Sequence, residues 1–116
     1  MRYLLMTGCL LIVLAAASCS SSPSLRTDAS ASAIRAAEAV GATGVPRAAF
    51  HLQLAKEALD SANALADKGK TDEAKSLLTR AEVDAELAIL LSQEQDEKTA
   101  AIQAMERVHQ LQNNNR

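Results

Sequence analysis

Alanine recurs every three or four residues through most of this sequence, and that spacing limits the fold more tightly than any other feature. Between Pro46 and Lys68 the stripe is Ala48, Leu52, Ala55, Leu59, Ala62 and Ala66, broadened by Phe50, Ala58 and Leu65. From Asp72 to about Gln112 a longer run carries Ala74, Leu78, Ala81, Ala85, Ala88, Gln95, Ile102, Met105 and His109 near heptad spacing. Steps of three and four keep side chains on one face of an α-helix, whereas a strand needs alternation by two. Alanine also loses no side-chain entropy when a helix forms. The expected fold class is therefore all-α.

The breaks between helices are equally local. A first pattern from about Asp28 to Val40 places Ala33, Ile34, Ala37 and Val40 on one face, and GATGVP then interrupts it. Gly41 and Gly44 allow positive φ, while Pro46 suits the first turn of a new helix and disfavours helical backbone at Val45. Further on, DKGKTDEA supplies Gly69 for a left-handed cap, and Thr71 or Asp72 to open the last helix. Two architectures satisfy these breaks. One is a long antiparallel helical hairpin turning at Gly69 with one arm broken at residues 41–46. Its arms, 28–68 and 72–112, match in length and pair Ala62 with Leu78, Leu59 with Ala81, Ala55 with Ala85, Leu52 with Ala88, Val40 with Ile102 and Ala37 with Met105. The other is a three-helix bundle in which GATGVP reverses the chain and the far end of the last helix is left unpaired.

The first residues follow the plan of an export signal. Arg2 precedes an apolar stretch from Tyr3 to Ala17, which is shorter than the roughly 20 residues a membrane-spanning helix requires. Ala16, Ala17 and Ser18 then precede Cys19, a context that resembles a bacterial lipobox. The resemblance implies that the cysteine thiol takes a diacylglycerol before cleavage at its amino side. Two or three acyl chains anchor a protein stably where one does not. Ser20, which is not aspartate, implies sorting to the outer membrane. Cleavage after Ala17 into a soluble secreted accessory protein is the competing expectation. The organisation expected is a signal peptide at 1–18, a lipidated cysteine and flexible tether at 19–27, an alanine-rich helical domain at 28–112 and a disordered tail at 113–116.

Composition then removes several classes of function. Loss of Arg2 with the leader shifts the formal charge from −2 to −3, a balance with no general attraction for nucleic acid. Phe50 is the one aromatic outside the leader, so a stacking platform for bases or sugars is missing. Cys9 leaves with the leader and Cys19 is consumed by lipid, which excludes a thiol nucleophile and a thiolate metal site. His51 and His109 read as solvated histidines at helix edges, and Glu82, Asp84 and Glu86 are spread around a helix rather than paired. No phosphate loop, GxSxG elbow or HExxH occurs. The expectation is a protein that is not an enzyme and needs no cofactor or metal.

Three resemblances bear on function. The segment LAKEALDSANALADKGKTDEAKSLLTRAEVDAELA is similar to a single tetratricopeptide hairpin through Ala58, Ala62, Ala74 and Ala81, which implies peptide or protein binding. Over residues 41–88 the glycine and proline before an alanine-periodic helix, the GKTDEA turn and AEVDAELA resemble the bacterial lipoprotein domain family of unknown function, serial four-three-nine-eight. Members of that family look like envelope lipoproteins. The lipidated cysteine, serine tether and alanine heptads are also similar to murein lipoprotein, although that protein's wall linkage uses a C-terminal lysine and this sequence has Arg116. Together they imply a binding or structural module of the cell envelope, held to the membrane through lipid on Cys19. The candidate partners are peptidoglycan, an envelope protein or further copies of the chain, and the alternative to a binding module is a self-assembling coiled-coil spacer with no dedicated ligand. Leu52, Ala55, Leu59, Ala62, Leu78, Ala81, Ala85 and Ala88 form the interaction seam, and Ile102, Met105 and Val108 are the candidate partner surface.

Overall fold

The computed structural model describes residues 27–116, so the signal peptide, Cys19 and nearly all of the tether lie outside the described residues. Within them the chain is all-α. Helix α1 spans Thr27–Ala39, a single 3-10 turn covers Ala42–Gly44, α2 spans Pro46–Asp67 and α3 runs unbroken over Thr71–Asn114. No glycine or proline interrupts the 44 residues of α3, which reach about 66 Å at 1.5 Å per residue. The helix enters the segment expected to be a disordered tail, ending at Asn114 rather than Gln112.

Each corner has an identifiable cause. At the α2–α3 turn Gly69 has φ +74°, a left-handed backbone that favours glycine. Its N–H donates to the Ala66 carbonyl at 2.9 Å, and the Lys70 N–H reaches back to the Leu65 carbonyl at 2.9 Å. This is the Schellman arrangement, which satisfies carbonyls left over at a helix end. Neither Thr71 nor Asp72 caps α3; its N-cap is Lys70, without a side-chain hydrogen bond. The other corner turns on Gly41 at φ +77°, and Pro46 occupies the first turn of α2, where its missing N–H costs nothing.

The three-helix bundle is the architecture adopted, and the long hairpin is not. After Gly41 the chain folds back, so α1 lies beside the amino-terminal half of α3 and against α2. Ser30 Oγ donates to the Leu78 carbonyl at 3.1 Å, while Ile34, Ala37 and Ala42 join a core with Ala48, Leu52, Ala55, Ala85, Ala88 and Leu91. Ala37 is fully buried there, whereas its hairpin partner Met105 is 66% exposed. Val40 and Ile102, the other distal pair, are both exposed. A second, smaller core of Ala62, Ala74 and Leu78 sits near the turn. Alanines at full burial allow helix axes to approach closely, but each buries little area, so this core relies on close packing rather than large apolar surface.

Candidate functional site

The seam residues named above are spent inside the bundle. Leu52, Ala55, Ala62, Leu78, Ala81, Ala85 and Ala88 are buried and Leu59 is half-buried, packed between the helices. They position what lies outside. Beyond Ser92 every residue of α3 is exposed, and the helix continues as a single arm past the end of α2. Ile102, Met105 and Val108 lie on this arm with Leu111, each more than half exposed.

A regular pattern connects the arm to the bundle. On α3 the positions 83, 87, 90, 94, 97, 101, 104, 108 and 111 follow one another in steps of four and three. They are occupied by Val83, Leu87, Leu90, Glu94, Glu97, Ala101, Ala104, Val108 and Leu111, and all nine are exposed. This is a second heptad seam, on a face of α3 other than the one bearing Ala74, Leu78, Ala81, Ala85 and Ala88. Sequence reasoning that followed one stripe along the helix passed over it, although LAILL at 87–91 is apolar on nearly every side. Glu94 interrupts the seam electrostatically. Its carboxyl is held below the ordinary glutamate range by a hydrogen bond from Lys98, by the charge of that lysine, and by Arg47 of α2 at 4.0 Å.

Where α2 crosses α3 a further polar contact joins them that the residue spacing did not reveal. His51 Nδ1 lies 3.0 Å from Asp84 Oδ1, and Arg80 Nε is 3.6 Å from Asp84 Oδ2. The histidine is half-buried, with Phe50 packed edge-on against its ring. His51 is thus an interhelical pin rather than a solvated edge residue, while His109 is exposed on the arm. The two residues stand 33 apart in the chain, so no local spacing announces the pair. One buried polar group stays unsatisfied: Ser92 Oγ has no hydrogen-bond partner among the described residues.

Among the described residues no group of three or more histidine, cysteine or carboxylate side chains is placed to hold a metal ion, and no helix is long and apolar enough to cross a membrane. A recess of about 440 Å³ is an open hollow on the arm beside Ile102, Gln103, Glu106 and Arg107. The site with the most distinctive construction is therefore a surface, the exposed seam of α3.

Comparison with known proteins places the chain without naming an activity. No curated protein and no solved structure matches it. A tetratricopeptide repeat, at about 34 residues, is also too short to contain the α2–α3 pair, whose helices are 22 and 44 residues long. The family described as Domain of unknown function (DUF4398) matches residues 26–108, a span that takes in all three helices and most of the arm, and the chain belongs to that family.

Proposed function

We propose that the protein is a lipoprotein of the bacterial cell envelope, anchored on the periplasmic face of the outer membrane through Cys19, and that it works as a binding or structural module rather than as an enzyme. The observation that carries this reading is the division of labour within α3. Its first half builds the bundle with α1 and α2, and its second half holds an exposed apolar face away from it. The placement of α1 adds to this. Ser30 bonds at the level of Leu78, so the tether joins the bundle toward its Gly69 end, while the arm leaves from the opposite end. An anchor at one end and an unpartnered helix at the other suit a protein that connects the membrane to something else.

Replacing Cys19 with Ala tests the anchor. The variant is expected to leave the outer-membrane fraction, and the native mature protein should show an amino-terminal mass raised by lipid. Retention of Cys19→Ala in that fraction, or an unmodified amino terminus at Ser18, would sink the lipoprotein reading in favour of a soluble secreted protein. Sedimentation of the mature protein with purified peptidoglycan sacculi then separates wall binding from protein binding, since saturable pelleting requires a site for the wall.

A further inference from the structure

The exposed seam of α3 also names its own partner. We infer that it is the contact face of an antiparallel homodimer, in which the arms of two copies pair about a two-fold axis near residue 99. This takes the arm as the binding surface proposed above and identifies what it binds.

Length and regularity point to a helical partner. Val83 to Leu111 keeps a four-three spacing across four heptads, apolar at seven of its nine positions and broken in the middle by Glu94 and Glu97, a length at which sustained heptads characterise coiled coils. Neither α1 nor α2 covers it, and Leu90 and Leu111 are 61% and 64% exposed. Apolar residues that continue at this spacing in water are unusual unless another helix covers them.

Charge selects both partner and direction. Two copies paired in parallel and in register would set Glu94 against Glu94 and Glu97 against Glu97 in the middle of the seam, a like-charge contact that destabilises pairing. An antiparallel pair centred on residue 99 places Leu87 opposite Leu111, Leu90 opposite Val108, Glu94 opposite Ala104 and Glu97 opposite Ala101. Each glutamate then meets a methyl group, with room to bend towards a cation. Arg107 of the second copy comes within a helical turn of Glu94, and Lys98 of the second copy within a turn of Glu97. Glu97 and Arg107 make no ion pair within their own chain among the described residues, so both are available for this. One sequence thus supplies both halves of a complementary surface, as an isologous two-fold interface requires.

The test reads mass and direction separately. Full-length protein extracted in detergent is sedimented at equilibrium, alongside Leu90→Asp and Glu94→Arg variants. A photo-crosslinking amino acid is also placed at position 111 in cells. The native chain should be a dimer, and both variants should lose at least tenfold in dimer affinity. Adding Arg107→Glu to Glu94→Arg should restore the dimer, and position 111 should crosslink to a peptide containing Leu87. Circular dichroism should be unchanged in the bundle, because the altered side chains are exposed. A native monomer at tens of micromolar, a 111-to-111 crosslink, or a crosslink to a different protein would each overturn it. The outcome is independent of anchoring: a Cys19→Ala chain that dimerises yet stays in the outer-membrane fraction refutes the anchor alone, and a lipidated monomer refutes the dimer alone.

Discussion

Single residues carry unequal weight in this bundle, and burial explains which matter. Ser30 and Ser92 are both fully or almost fully buried, yet Ser30 donates to the Leu78 carbonyl while Ser92 Oγ has no partner. A buried hydroxyl without a partner forfeits its hydration for nothing in return. Ser92→Ala is therefore expected to stabilise the protein by about 1 kcal/mol, because alanine fills nearly the same space and is the better helix former. Thermal unfolding monitored at 222 nm would show it, and a lower midpoint would mean that the hydroxyl has a partner after all. Ser92 also follows the core alanines by one more step of four, so its burial was legible from spacing. The pairing of His51 with Asp84 was not, since the contact depends on how α2 is rotated against α3.

Elements divide α3 into two parts that do different things. Up to Ser92 one face is packed against α1 and α2, and from Gln93 onward the helix has water on all sides. Most helical stability in a protein comes from tertiary packing rather than from propensity, and the arm has no such packing of its own. Here the support is the bundle on which it propagates, together with pairs four residues apart such as Glu94 with Lys98. A chain ending at Lys98 should therefore unfold within about 0.5 kcal/mol of the complete one when both are monomeric, while losing helical signal in proportion to the residues removed. A markedly lower midpoint for the shortened chain would show that the arm supports the core. The boundary is visible in the sequence once the core heptad is continued, because after Ser92 it passes through Gln95 and Thr99, and Glu106 follows Ile102.

At the scale of the whole molecule the deciding event is the reversal at Gly41, which brings α1 back onto the first half of α3. Ile34 is the large side chain that α1 inserts, at 6% exposure, into the core shared with Leu52, Ala88 and Leu91. Ile34→Asp would bury an unpaired carboxylate there and is expected to cost about 3 kcal/mol or more. Hydrogen exchange should then show Thr27–Ala39 unprotected while the α2–α3 pair remains helical; full protection of α1 would contradict its docking. By itself the sequence determined the three helices, their corners at Gly41 and Gly69 and the alanine face along each, because these follow from propensity, positive φ and periodicity over a few residues. Only the tertiary structure decided where α1 lies. Local spacing shows that a helix has an apolar face but not which of two available faces it meets. Along α3 the stretch from Ala74 to Ala88 is small and dry enough to take a second helix at close range, whereas polar Gln95, Thr99 and Glu106 occupy the continuation of that face. Burial of the α1 face is satisfied beside the first stretch and not beside the second, and the arm is left with its apolar side open.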